Sequence, residues 1–205
     1  MEISLELISY FGMWTAQAFY MSSYLLQLVF NYKNKTGRGL SNLMLLGYLN
    51  SLIAGVYYCF LCNLPFAYKL FFPLQTAAVL GLILQRLVYA KFSTSKPYWF
   101  LYGANILGSL LFIPLAISYP GLVGWTAGWI MFILGCICQI PQVIKIYGAK
   151  NTNNFNISFA TFTLVACLIE LSTSYLLGLP VQTLVTAGRG AIVCIIWLVQ
   201  FWIYR

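Results

Sequence analysis

The chain has 205 residues, 61% of them hydrophobic and only 7% charged, with 11 Lys and Arg against 3 Asp and Glu for a net charge of +8. A soluble domain carries about a quarter charged residues, so this composition excludes an ordinary water-soluble fold and leaves one solvated by lipid. The chain has no histidine and no aspartate, and no nucleophile stands beside a plausible base, so an enzyme is not expected; nor is a cofactor.

Seven apolar runs follow one another, near 8–30, 40–62, 70–90, 98–117, 124–147, 157–178 and 181–204. Each is about 20 residues long, enough for a helix to cross a hydrocarbon core of about 30 Å. The gaps leave no room for a soluble domain. The expectation is one all-α domain of seven transmembrane helices over 1–205. The first run lacks a basic lead and is as long as the others, so no cleavable signal is expected.

Basic residues fall where alternate spans end: Lys33, Lys35 and Arg38 after the first, Arg86, Lys91 and Lys96 around the end of the third, Lys145 and Lys150 after the fifth, and Arg205 last. The opposite side holds Lys69, with Glu2 and Glu6 at the start. The positive-inside rule then puts the N-terminus outside or in a lumen and the C-terminus in the cytoplasm. A bacterial inner membrane and an endolysosomal membrane both fit. The charge reads as contact with anionic lipid, and nucleic acid is not an expected partner. The N-x-S/T sequons at Asn34 and Asn156 fall on the cytoplasmic side and are expected to stay unused.

The six cysteines lie in or at the ends of spans. Cys59-x-x-Cys62 has no second pair and no histidine to join it, so packing explains it better than metal binding. Of the tryptophans, Trp14, Trp99, Trp125, Trp129, Trp197 and Trp202, most stand near span ends and read as an interfacial belt. Trp14 and Trp129 are the two that could stack on a ring.

The chain repeats itself. Trp14 and Gln27 recur 115 residues later as Trp129 and Gln142, and Lys35 and Ser41 are echoed by Lys150 and Ser158. Phe72-Pro73-Leu74-Gln75-Thr76 is echoed by Leu179-Pro180-Val181-Gln182-Thr183. These echoes divide the chain into a first repeat (8–90), a linker helix (98–117) and a second repeat (124–204). Three helices are an odd number, so the extra span restores orientation and makes the two copies parallel. Counted to its serine, the second loop reads as two residues longer, which pairs Asn50 with Cys167 and Ile53 with Glu170.

Pro141-Gln142-Val143-Ile144, through Lys150 to Asn156-Ile157-Ser158, resembles the PQ-loop motif. Leu26-Gln27-Leu28-Val29-Phe30-Asn31, through Lys35 to Ser41, resembles its first copy, with a tail most similar to the cystinosin branch. The resemblance implies a transporter: a proton-coupled amino-acid carrier in the cystinosin branch, a sugar uniporter in the SWEET branch. The chain departs from the pattern at Leu26, which replaces the first proline, and in lacking the intramembrane aspartates that cystinosin-like carriers use for coupling.

Several residues are candidates for function. Pro141 lies inside the fifth span, where proline removes a helix hydrogen bond and kinks the chain. It reads as a hinge for alternating access, with the Gln142 amide available to the freed carbonyls, Gln27 as its counterpart, and unequal motion of the two halves. Pro73 and Pro180 read as helix starts. Gln75 and Gln182, two residues beyond them, are candidates to line a pathway. Glu170 is the only acid inside a span, and an intramembrane ionisable residue marks a functional site by default. Arg189 stands at a similar depth on the next helix, so the two can pair. Such a pair could carry a proton, open to take the two ends of a zwitterion, or simply lock the helices. Thr163, Cys167, Glu170 and Ser174 share one helix face, and Gln182, Thr186 and Arg189 another. Asn50, mid-span, is either helix-packing glue or a substrate contact.

The sequence thus points to a carrier for a small polar solute, probed best as a proton–amino-acid symporter. A SWEET-type sugar uniporter and a non-transporting receptor or structural membrane protein are the alternatives. Its expected partners are an amino-acid or sugar substrate, protons and the lipid bilayer.

Overall fold

The computed structural model describes residues 2–37, 39–89, 92–152 and 155–204, with side chains for 5–37, 39–89, 100–152 and 155–204. Arg38, Lys91 and Arg205, which helped orient the chain above, lie outside the described residues, as do the side chains of Glu2, Lys96 and Trp99.

The described elements are all helices: α1 (Glu2–Lys33), α2 (Asn42–Leu61), α3 (Phe66–Tyr89), α4 (Phe92–Leu110), α5 (Ile113–Ser118), α6 (Pro120–Ala149), α7 (Ile157–Leu176) and α8 (Val181–Ile203). A bilayer cannot hydrogen-bond the backbone, so each segment satisfies its own amides internally. The seven apolar runs become helices as expected, with one break. The fourth run divides into α4 and α5 at Leu111 and Phe112, whose amides turn back to the carbonyls of Gly108 and Ser109 (3.2 Å each).

Six segments are long and apolar enough to cross a membrane: α2, α3, Phe100–Ser118, α6, α7 and α8. The 32-residue α1 is long enough but too polar to join them. Its inner face explains why: Ser9, Gln17, Ser23, Gln27 and Asn31 are all buried there.

Contacts define a ring. α3 packs between α1 and α2, and α8 packs between α6 and α7. The triplet α1–α3 meets the triplet α6–α8 through α2 on α6 and α1 on α7. α4 leans on α2 and α3 from outside, and α5 on α6. One apolar cluster, including Leu40, Met44, Phe159 and Trp197, fills the end near the 34–41 and 150–156 loops. A second, around Met13, Tyr58, Leu64 and Tyr68, fills the other end. Trp197 is therefore a core residue and not part of a belt: it is wholly buried, with its ring centroid 5.4 Å from that of Phe155. Trp125 and Trp202 are exposed as the belt reading requires. All six cysteines, Cys59 and Cys62 included, are free thiols.

The two triplets share one register. α2 and α7 are both 20 residues long and begin at Asn42 and Ile157, 115 apart; α3 and α8 begin at Phe66 and Val181, again 115 apart. The backbone repeats at the same interval. Lys35 and Lys150 both adopt φ 48, and Asn63 (φ 49) matches Gly178 (φ 60). The second loop is consequently no longer than the first. Ser41, which precedes α2, corresponds to Asn156, the N-cap of α7, and Ser158 lies two residues further in. The pairing of Asn50 with Cys167 and Ile53 with Glu170 is thereby corrected: Leu52 faces Cys167 in register, and Gly55 faces Glu170.

The proline echo is also out of register. Pro180 is the N-cap residue before α8, as a helix-opening proline should be, but Pro73 lies inside α3. The apolar run begins before Pro73, at Phe66, and the helix simply continues through it. Buried neighbours on α3 hold the turn together against the lost hydrogen bond.

Candidate functional site: a polar cavity between the two helix triplets

The ring encloses a cavity of about 80 Å³, and Gln17, Tyr20, Gln75, Gln139, Glu170 and Arg189 are among the polar side chains on its wall. Helical spacing puts Gln17, Tyr20 and Tyr24 on one face of α1, and the same face continues to Gln27. On α7 the predicted face holds, with Thr163, Cys167 and Glu170 all lining the cavity. Ser174 is buried beyond it, its hydroxyl 3.4 Å from that of Tyr68.

Glu170 is 6% exposed and anchors a network of donors. The Tyr20 hydroxyl donates to its Oε2 (2.6 Å) and Gln17 Nε2 to its Oε1 (3.2 Å). Gln75 Nε2 donates in turn to Gln17 Oε1 (3.0 Å). Every hydrogen in this chain points toward the carboxylate. Tyr20 also reaches Cys167 Sγ at 3.2 Å, an alternative position for its hydrogen.

Arg189 lines the same cavity, yet the predicted ion pair with Glu170 does not form. The guanidinium instead lies on the bare Cα of Gly135, so close that a Cβ there would come within 2.2 Å of Nη1. Arg189 Nε and Nη1 are buried without a hydrogen-bond partner, as are Thr186 Oγ1 and Gln139 Oε1. Glu170 is satisfied by α1 before Arg189 can reach it.

The remaining sequence candidates separate. Gln75 is on the wall, as proposed for pathway residues. Gln182 is not: its amide turns its oxygen to the indole nitrogens of Trp129 (3.2 Å) and Trp125 (3.3 Å). Trp129 accordingly packs against Trp125 and Phe132, and Trp14 against Phe66 and Phe71, so neither offers a free face to this cavity. Asn50 is absent from it too. It donates to the Leu46 carbonyl (2.9 Å) and borders a separate lateral cavity between α2, α4, α5 and α6.

Sequence reading missed Tyr20, Tyr24, Tyr48, Tyr58 and Tyr68, all on the wall. A signal existed: α1 is the least apolar long span, and its polar residues 17, 20, 24 and 27 keep helical spacing.

The two glutamines of the doubled motif lie deeper toward the loops and are wholly buried. Gln142 Oε1 accepts from the Ser41 amide at the start of α2 (2.8 Å), and its Nε2 donates to the Gly39 carbonyl (3.0 Å). Gln27 Oε1 accepts from the Asn156 amide at the start of α7 (3.2 Å). Each glutamine thus caps a helix of the opposite triplet. Gln142 does not serve the carbonyls freed by Pro141, as sequence reading suggested; Pro141 does lie inside α6, and the Gln142 beside it reaches across the interface.

These features define a helical membrane protein with a cavity, lined in part by polar side chains, between two triplets of helices. Residues 123–183, which span most of α6, all of α7 and the start of α8, match the PQ loop repeat. No curated protein matches the chain.

Proposed function

We propose that the protein is a membrane carrier for a small polar solute, that the solute is an amino acid moved together with protons, and that the carrier works by alternating access around the central cavity. The observation that carries this reading is the cavity itself: it lies between two triplets in a common register, and an acid and an unpaired guanidinium both face it. Transporter folds with such repeats place substrate and coupling-ion sites at the repeat interface. Glu170 is the proton site, because a carboxylate in low dielectric changes charge when its surroundings change, and Tyr20 can turn its hydrogen to Cys167 as Glu170 gains one. The reciprocal glutamine caps hold the loop-bearing end closed, and Pro141 is the hinge about which that end opens.

The test is counterflow in proteoliposomes with amino acids and with sugars at two pH values. Amino-acid exchange that varies with pH is expected. Exchange of sugars alone, unaffected by pH, would replace this reading with a uniporter, for which the tyrosines on the wall offer stacking surfaces. No exchange of either would leave a receptor or structural role.

A further inference from the structure

The fully buried polar atoms of the cavity that lack any partner lie on one wall. On the α1 side the donors and acceptors satisfy one another: Gln75 binds Gln17, and Gln17 and Tyr20 bind Glu170. On the α6–α8 side four buried atoms have no partner, Arg189 Nε and Nη1, Thr186 Oγ1 and Gln139 Oε1. Gln139 is 2% exposed. Buried polar atoms are almost always paired, and an unpaired one is costly, the more so when charged. Four on one wall of one cavity mark a place where a ligand supplies the missing partners.

The chemistry of the four atoms specifies that ligand. Arg189 presents two unpartnered charged N–H donors, Nε and Nη1, on different edges of its guanidinium, each suited to an anionic oxygen. Thr186 lies one helical turn before it on the same face of α8, so its hydroxyl adds a third donor. Gln139 Oε1 only accepts, so the ligand must also carry a donor beside its anionic group. Space is provided by missing side chains. Gly135 leaves the guanidinium its seat, and Gly190 lines the cavity beside Cys167.

Resting on the carrier reading above, we infer that the α8 wall is a carboxylate site: Arg189 and Thr186 hold the substrate's carboxylate, Gln139 accepts from its neighbouring ammonium or hydroxyl, and Gly135 fixes the guanidinium in position. Glu170 is left to the proton and does not bind the ammonium. The four residues select an acid with a donor on the adjacent carbon. This differs from the zwitterion arrangement in which Glu170 takes the ammonium: here Gln17 and Tyr20 donate to its two oxygens.

Binding to the purified full-length protein, followed by thermal shift and calorimetry, tests this. The probes are the amino acids, their carboxamides and their decarboxylated amines. Carboxamides and amines should bind about ten- to a hundredfold more weakly than the parent acid, as losing a charge-assisted contact implies. Arg189→Gln should abolish that preference, with acid and carboxamide binding alike. Gly135→Ala should reduce it by displacing the guanidinium, and Thr186→Val, which keeps its shape, should weaken it several-fold while leaving thermal stability unchanged. Amines binding as well as acids, or a preference that survives in Arg189→Gln, would overturn the inference and leave the carrier reading standing. If nothing in the panel binds, both fail together. If Arg189→Gln does not fold, Thr186→Val and Gly135→Ala decide the matter.

Discussion

The two triplets share one 115-residue register but differ in what they bring to the cavity. Where the first triplet has Tyr20, Tyr48, Tyr68 and Gln75, the second has Gly135, Thr163, Thr183 and Gly190 at the same positions. The larger group falls in the second half where Glu170, Arg189 and Met131 correspond to Gly55, Leu74 and Ala16. Large hydroxyl-bearing side chains fill the space on one side, and small ones leave it open on the other. The shared backbone sets where the site is, and the inequality of side chains sets which wall is free to bind. A cavity lined by identical halves would have no preferred end.

The largest effect should come from the cavity acid that the first triplet lacks. Glu170→Gln keeps the size of the side chain and can still accept from Tyr20 or from Gln17 through its one oxygen, but it cannot carry a proton. Proton-driven accumulation in proteoliposomes should fall by at least about a hundredfold, the effect of removing an interaction worth about 3 kcal/mol, and the pH dependence of exchange should vanish. Exchange that retains its pH dependence in this variant would mean that the proton moves elsewhere.

Next in size are the glutamine caps, because here the two halves behave alike. Gln142→Ala strips the caps from α2 and orphans a buried amide, and Gln27→Ala does the same at α7. Each should cost about 1–3 kcal/mol of stability, seen as a lowered unfolding midpoint in detergent, and the two costs should agree within about 1 kcal/mol. A much larger loss for Gln142→Ala would show that Lys145, which also holds the Gly39 and Leu40 carbonyls (3.2 Å each), depends on it.

The sequence revealed the architecture more readily than the site, for identifiable reasons. Helices follow from long apolar runs, and a membrane makes that signal nearly sufficient. Glu170 and Arg189 were legible because charges in such runs are rare. Their relation was not, since Gly135 and Tyr20 decide it from helices far away in the chain. The loop register was misread for a local reason: Ser41 and Ser158 look equivalent, but Asn156 has taken over the capping position, its side chain accepting from the Ser158 amide (3.0 Å). The tyrosines escaped notice because a tyrosine in a membrane helix is as easily read as an interfacial residue as a cavity wall.

Pro141 offers a smaller effect that bears on motion. Position 26, its counterpart, is leucine, so only α6 lacks a backbone hydrogen bond there. Pro141→Ala restores that bond and should slow exchange by about three- to tenfold, an increase in barrier of about 1 kcal/mol, with little change in substrate affinity. Leu26→Pro should change the rate as well, by giving α1 the same weakness. An unchanged rate in Pro141→Ala together with an altered one in Leu26→Pro would place the moving element in the first triplet.

The smallest effect should be at Asn50. It is polar and mid-helix, which made it a candidate for substrate contact, but its position in the ring turns it outward. The side chain donates to the Leu46 carbonyl four residues back, a bond that an asparagine in apolar surroundings makes with its own helix when no partner helix supplies one. Its wall is the lateral cavity that it shares with Asn105 and Tyr57, on the far side of α2 from Ser51, which lines the central cavity and donates to the Met131 carbonyl (2.9 Å). Adjacent residues on a helix point about 100° apart, so one position in sequence separates the central cavity from the outer face. Asn50→Leu should therefore leave exchange within about twofold of the parent and stability within about 0.5 kcal/mol. The same experiment at Ser51, with Val, should cost more, because the Met131 carbonyl would lose its donor at the seam between the triplets. If Asn50→Leu abolished exchange and Ser51→Val did not, the pathway would run along the outer face of α2, and the unequal halves would no longer define its walls.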